Sequence, residues 1–255
     1  MKFSILISSF NKGKYLKKCI ISCLNQKDKD CEIILFDNYS TDGTSKILKD
    51  FRDQIKIYKK KRISKYPAIN QIDLIQSAFL KSKGKIICLL DADDFFNNNK
   101  LSVLKKQFIK KKKIDVIFDL PIKRYPSYYK KFKVKKKLQK NIWPSIIPTS
   151  SISCKRTFFK KFLKRSFLKD YKNLEIDFRF NVYSRNIYKN FYICKNNITN
   201  YRQVNDGIMS NIKKFSKKWW IKRLEAHKFM QKLFSNHNIK YNNRIDFLLS
   251  KILSK

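Results

Sequence analysis

The first hundred residues alternate short apolar runs with stretches of helical spacing, and each run stops at polar or acidic residues. Phe3-Ser4-Ile5-Leu6-Ile7-Ser8 ends at Asn11, and Glu32-Ile33-Ile34-Leu35-Phe36 closes at Asp37-Asn38. Ile55-Lys56-Ile57-Tyr58 alternates as a third strand, and Lys85 to Leu90 runs straight into Asp91-Ala92-Asp93-Asp94. Between them, Leu16, Ile20, Cys23 and Leu24 share one helical face that starts near Gly13. Ser40-Thr41-Asp42-Gly43-Thr44 turns into a helix from Thr44 to Phe51. A third helix covers Ala68 to Lys81 with Ile72, Ile75, Ala78 and Phe79 inward, and Gly84 ends it. Strands alternating with helices imply a parallel sheet covered on both faces, whose ligand crevice lies at the strands' carboxyl ends. Ser8-Ser9-Phe10-Asn11, Asp37-Asn38 and Asp91 to Asp94 all fall at such ends, so a ligand site is expected there.

Composition removes several alternatives. The four glycines, Gly13, Gly43, Gly84 and Gly207, are never clustered, which rules out the Gly-rich loops that let a backbone approach a phosphate closely. Two histidines, His227 and His237, exclude His-rich zinc sites and leave few Ser-His-Asp options. Cys19, Cys23, Cys31, Cys88, Cys154 and Cys194 form no C-x-x-C pair, which fits a reduced, cytoplasmic chain. No run approaches the roughly 20 apolar residues of a membrane span, and Lys2 to Phe10 carries no cleavage signature. The net charge of +41, from 60 Lys+Arg against 19 Asp+Glu, attracts polyanions. It is mostly lysine, the poorer residue for bidentate recognition, so most of it reads as solvated surface.

Beyond residue 120 the pattern loosens. Asp115-Val116-Ile117-Phe118-Asp119 is a fifth strand between the Lys-rich stretches Lys110 to Lys113 and Lys130 to Lys137. Trp143 to Pro148 reads as loop, Ser151 to Cys154 as a strand and Arg156 to Leu163 as a helix. Lys172 to Ser184 and Lys217 to Phe234 have helical spacing. Without a flexible linker or repeat, the chain reads as a main domain over 1–215 and a basic helical segment over 216–255. The main domain divides into two halves, about 1–120, where strands and helices alternate, and about 121–215, where the pattern loosens.

In so basic a chain the acids carry information. Asp91, Asp93 and Asp94 repel one another at one strand end unless a cation is present, and an oxygen-only set suits Mg2+ or Mn2+. The competing reading is that Asp93 or Asp94 caps the next helix, near Lys100 to Phe108.

Phe3 to Asn11, the stretch from Glu32 to Thr44, and Leu90-Asp91-Ala92-Asp93-Asp94 together resemble the family 2 glycosyltransferases in order and spacing. The resemblance implies an α/β fold of GT-A type: a mostly parallel, Rossmann-like central sheet flanked by helices, here with a helical C-terminal appendage. It also implies an inverting transfer from a nucleotide-diphospho-sugar, with a UDP-sugar favoured, to a glycan or lipid-linked acceptor. Asp37 matches the aspartate that reads the base; Asp91 and Asp93 match a D-x-D motif, Asp91 toward the ribose and Asp93 on the metal. Ser9 stands in the loop under the base, where the family usually has Pro-Thr, and Asn70 lies in the helix before the motif. Inversion needs a general base for the acceptor hydroxyl. Glu175-Ile176-Asp177 resembles the later acidic motif, with Asp177 the candidate base and Glu175 second; the rival reading is a helix cap. Asn200 to Gln203, with Gly207 to Ser210, is expected as a loop over the diphosphate, with Arg202 on phosphate.

The resemblance further implies a bacterial enzyme of cell-surface polysaccharide or lipopolysaccharide synthesis. Trp219 and Trp220, near Arg223, read equally as core packing or as an amphipathic surface, with acceptor stacking a third reading; as a surface, the Lys-rich tail suits peripheral contact with an anionic membrane at its inner face. Rival readings are a sugar-phosphate nucleotidyltransferase, a catalytically dead relative, and a nucleic-acid-binding protein driven by charge. The first lacks its Gly-rich loop, and the last leaves the ordered Asp clusters unexplained, so no specific nucleic acid is expected.

Overall fold

A computed structural model of the chain describes residues 1–132, 146–165, 170–205, 207, 212–241 and 244–255. Its first half runs β1 (Phe3–Ser9), α1 (Gly13–Leu24), β2 (Cys31–Asp37), α2 (Thr44–Asp50), β3 (Lys56–Lys59), α3 (Pro67–Lys81), β4 (Ile86–Asp91), β5 (Phe95–Phe96), α4 (Lys100–Lys110) and β6 (Val116–Asp119). It continues with β7 (Ile122–Arg124), β8 (Tyr129–Lys131), a 3-10 turn at Thr149–Ser151, β9 (Ile152–Lys155), α5 (Arg156–Arg165) and α6 (Ile176–Val182). After a π-helical turn at Tyr183–Tyr188 come β10 (Phe191–Cys194), β11 (Thr199–Arg202), α7 (Lys217–Ser235) and α8 (Arg244–Leu253).

Among the described residues, seven strands form one sheet in the order β10-β6-β9-β4-β1-β2-β3, parallel except for β9, which runs against β4 and β6. All seven residues of β1 are buried, as a central strand covered on both faces requires. Because side chains alternate across a strand, Phe3, Ile5 and Ile7 of β1 enter a core with Leu16 and Ile20 of α1 and Leu104 of α4. Leu6 enters the other core, with Ile75 of α3, Phe159 of α5, Phe180 of α6 and Phe229 of α7. The smaller sheet, β5-β11-β7-β8, lies beyond the D-x-D motif.

Three expectations change. The helix read over Lys172 to Ser184 begins only at Ile176. The fully buried Arg179 guanidinium donates to the carbonyls of Asp170, Tyr171 and Leu174, so these residues give their carbonyls to a side chain. Asn200 to Arg202 is strand, not loop: it pairs with β7 and β5, an assignment that so short and polar a run does not signal. Asp93 and Asp94 cap no helix, since the N-cap of α4 is Asn99. Apart from Ile146 to Pro148 and Gly207, the stretches Trp143 to Pro148 and Gly207 to Ser210 lie outside the described residues, as does Lys133 to Lys137.

At Gly84, just before β4, a Cβ would meet the backbone of Phe3 and Ser4 at 2.6 Å and the Ser4 hydroxyl at 2.5 Å. The central strand has nowhere to move. Gly84→Ala is expected to destabilise the fold by about 1–3 kcal/mol, measurable by denaturant unfolding against the wild type.

Candidate active site

The strand register brings the three polar clusters together: Ser8 lies beside Asp91, and Ser9 beside Asp37. Here β1 sits between β2 and β4, so the chain's crossovers diverge to opposite sides of it, the arrangement that opens a crevice at strand ends. A cavity of about 830 Å³ opens at this point, reached by the start of α3, by β11 and by the first turn of α6.

Asp91 Oδ1 accepts from Gln71 Nε2 at 2.7 Å and from Ser8 Oγ at 3.3 Å. Burial first, and the neighbouring charge of Asp93 second, push its carboxyl up to about 7. Asp93 faces the same cavity with its Oδ2 3.2 Å from Lys12 Nζ. Asp94 does not join them: fully buried, it accepts from Ser150 Oγ at 2.5 Å and from the Arg202 amide at 2.8 Å. Ser150 Oγ also accepts from the Asp91 amide at 3.0 Å, so one hydroxyl ties both ends of the motif. Arg202 Nη1 donates to the Asp93 carbonyl at 2.5 Å, and its guanidinium lies over the Phe95 ring at 4.7 Å. The three-carboxylate metal reading therefore narrows to Asp91 and Asp93, and among the described residues no group of three His, Cys, Asp or Glu side chains is placed to hold a metal. The remaining pair still fits one. Asp93 already attracts a cation, the Lys12 ammonium, and Mg2+ or Mn2+ needs only one or two carboxylates when phosphates and water complete its shell.

The other acidic pair reaches the same cavity. Asp177, in the first turn of α6, accepts from the Phe178 amide at 2.7 Å. Burial first and the charge of Glu175 second push its carboxyl up to about 7, with Lys222 acting in the opposite sense. Glu175 occupies the N-cap position of α6, but its side chain makes no capping bond. Both of its oxygens accept instead from Lys222 Nζ of α7.

The remaining expected residues divide. Ser9 lines the cavity, and its Oγ is buried without a hydrogen-bond partner. Asp37 is fully buried one layer behind: its oxygens accept from the Ser40 amide at 2.9 Å and hydroxyl at 2.6 Å, while Asn38 lines the cavity. Tyr39 between them adopts φ 55°, a left-handed conformation that this pair of bonds holds in place. Asn70 lines the cavity but directs its amide to the Ile63 and Ser64 amides and the Ser64 carbonyl, fixing the loop that bears Arg62. Sequence reasoning missed Lys12, Gln71, Ser150 and Lys222. Only Gln71 carries a signal in the chain, as the polar neighbour of Asn70 in the helix before the motif.

A mostly parallel sheet with a carboxylate-lined cavity at the strand ends, between diverging crossovers, is the GT-A type of fold. The chain belongs to glycosyl transferase family 2, whose family model matches residues 4–191, and so stands among the transferases. It is 30% identical over 138 residues to an uncharacterized glycosyltransferase of Mycoplasma genitalium, covering 52% of this chain and 44% of that protein. It is 30% identical over 109 residues to the GalNAc(5)-diNAcBac-PP-undecaprenol beta-1,3-glucosyltransferase of Campylobacter jejuni, covering 42% and 34%. The chain thus spans less than half the length of either relative. Among solved structures, S. aureus TarS 1–349 in complex with UDP aligns with a TM-score of 0.66 at 13% identity, over 100% of this chain and 70% of that one. The mannosyltransferase PcManGT from Pyrobaculum calidifontis, in complex with GDP-Man and Mn2+, aligns at 0.58 and 13%, over 99% and 68%. At these identities the likeness is one of fold.

Proposed function

We propose that this chain transfers a sugar, with inversion, from a nucleotide-diphospho-sugar to an acceptor hydroxyl. The observation that carries the reading is one cavity lined by two separate carboxylate pairs, Asp91 with Asp93 and Glu175 with Asp177. The first pair suits a donor diphosphate with its cation, the second an acceptor. Asp93, with Asp91 beside it, would hold Mg2+ or Mn2+, which when bound offsets charge on the departing nucleoside diphosphate. Asp177 takes the acceptor proton as the hydroxyl oxygen bonds to the anomeric carbon. The bond from that carbon to the diphosphate breaks, and its electron pair leaves with the nucleoside diphosphate. Arg202 and Lys12 line the cavity near Asp93 and offer positive charge to the same phosphates. Ser9, with its unpartnered hydroxyl, and Asn38 suit the nucleoside, while Asp37 and Asn70 brace the loops around it.

A UDP-sugar is the favoured donor, in keeping with the UDP complex of TarS. A glycan or lipid-linked acceptor and a cytoplasmic role in surface polysaccharide synthesis agree with the undecaprenol-linked acceptor in the Campylobacter relative's name. Residues 1–215 are the catalytic domain in this reading, and the basic segment 216–255 contributes Lys222 to its site.

Thermal shift with UDP, GDP, dTDP and CDP, with and without Mn2+, tests the reading. One nucleotide is expected to raise the melting temperature in a metal-dependent way that Asp93→Ala removes. Equal stabilisation by every nucleotide and by a DNA duplex, unchanged in Asp93→Ala, would mean that bulk charge alone binds anions here.

A further inference from the structure

The last helix is inside out. Along α8, Asp246 and Ser250 face the protein, while Ile245, Leu248, Leu249 and Ile252 face solvent at 78%, 54%, 46% and 64% exposure. Spacings of three and four residues put these four on one stripe. A soluble helix buries such a stripe, because exposed aliphatic area is unfavourable. Here the inward polar face is pinned instead. Arg223 of α7 donates to both Asp246 oxygens, the fully buried His227 lies 3.0 Å from Asp246 Oδ2, and Ser250 is buried. The outward orientation is therefore fixed by a polar lock and is no accident of a frayed end.

A second patch adjoins it. At the start of α7, Phe215 is 62% exposed and packs on Trp219 and Trp220, whose rings lie 4.6 Å apart. Ser216 fixes this helix start by accepting from the Trp219 amide at 3.3 Å. Trp219 lies under the same Arg223 guanidinium, 5.0 Å away, that grips Asp246, so the aromatic patch and the beginning of the aliphatic stripe share one anchor. Lys213, Lys214, Lys217 and Lys218 surround the aromatics in exposed positions, and Lys251 and Lys255 flank the stripe.

We infer that this composite face, α8 with the start of α7, is a membrane-docking surface whose occupant is the interfacial layer of an anionic bilayer. A stripe of Leu and Ile suits the headgroup–acyl boundary, Trp the level just above it, and lysines the anionic headgroups. Charge complementarity selects lipid over a second copy of the chain, since two such faces would press lysine clusters together in a molecule already at +41. The inference does not depend on the transferase reading.

Co-sedimentation of the full chain with vesicles tests it. Vesicles of phosphatidylcholine mixed with phosphatidylglycerol are compared with pure phosphatidylcholine. Leu248→Glu/Ile252→Glu is set against Leu80→Glu/Ile109→Glu, which changes charge equally at apolar residues of 73% and 53% exposure elsewhere on the surface. The stripe variant is expected to lower partitioning into anionic vesicles by about tenfold or more, while the control stays near wild type. In a Trp143→Phe background, emission from Trp219 and Trp220 should shift to the blue on adding anionic vesicles. Unchanged melting temperature and nucleotide binding in the stripe variant would show that it folds. Equal loss in both double variants would overturn the inference in favour of bulk charge. Self-association lost in the stripe variant, with no partitioning by the wild type, would overturn it in favour of a second copy.

Discussion

Asp177→Asn is expected to lower kcat by about 10³-fold, within the range a positioned general base supplies, while nucleotide binding stays near wild type. As the proposed base, Asp177 would act as the carboxylate, and its carboxyl is held up at about 7, so the rate should fall tenfold per pH unit below about 7. The same shift has a stability consequence of opposite sense. Folding raises this pKa from 3.8 to about 7, so the folded state holds the proton more tightly than the unfolded one. That contribution is complete below about pH 4 and is lost as pH rises through about 7. Asparagine carries no charge to desolvate, so the inactive variant should melt higher than wild type at pH 8. Lys222 adds a second arm: it lowers the Asp177 pKa, so Lys222→Met should move the acidic limb of the pH–rate profile to higher pH. Rate profiles and melting curves on the same preparations decide the matter. A kcat loss under tenfold, or a variant that melts lower at pH 8, would place the base elsewhere.

How much of this was legible depends on where each residue sits. Burial on both faces leaves β1, β2 and β4 as unbroken apolar runs, and these could be read to within a residue or two. The strands of the smaller sheet could not. Ile122-Lys123-Arg124 and Tyr129-Lys130-Lys131 are half-buried or exposed and no more apolar than loops, and β5 is two residues long. The helix α8 is a different case: Ile245, Leu248, Leu249 and Ile252 carry helical spacing in the sequence, but not the outward turn of their stripe, which the Arg223–Asp246 contact sets. In the site, Asp91, Asp93 and Asp177 stood out because acids are scarce and these follow a strand or open a helix. Lys12, Ser150 and Lys222 carry no such mark. They reach the carboxylates across 81, 56 and 47 residues of sequence, and only the fold brings them there. Asp37 shows the converse: its place at a strand end is plain in the sequence, but its capture by Ser40 belongs to the turn.

Lys100→Met is expected to destabilise the fold by about 3–5 kcal/mol, the usual effect of breaking a buried ion pair by removing one partner. Lys100 and Asp119 are both fully buried, with Nζ 2.8 Å from Oδ2. The ammonium also donates to the Ser150 carbonyl at 2.9 Å and to Thr199 Oγ1 at 2.6 Å, which completes its three donors. Methionine fills similar space but leaves the buried Asp119 carboxyl without its counter-ion, beside the Ser151 and Thr199 hydroxyls, where burial already raises its pKa against the pull of Lys100. Removing both partners together tests this account: Lys100→Met/Asp119→Leu should recover most of the lost stability, because no charge then remains to desolvate. Function should not recover with it. Lys100 fixes the carbonyl of Ser150, whose hydroxyl holds Asp94 and the Asp91 amide, so the double variant should still bind nucleotide and Mn2+ more weakly than wild type. Urea unfolding and nucleotide titration on the two variants separate the effects. If the double variant is no more stable than Lys100→Met, the penalty lies in the packing around the substituted side chain rather than in an orphaned carboxylate; if its nucleotide affinity returns to the wild-type value, Lys100 braces the fold but not the D-x-D motif.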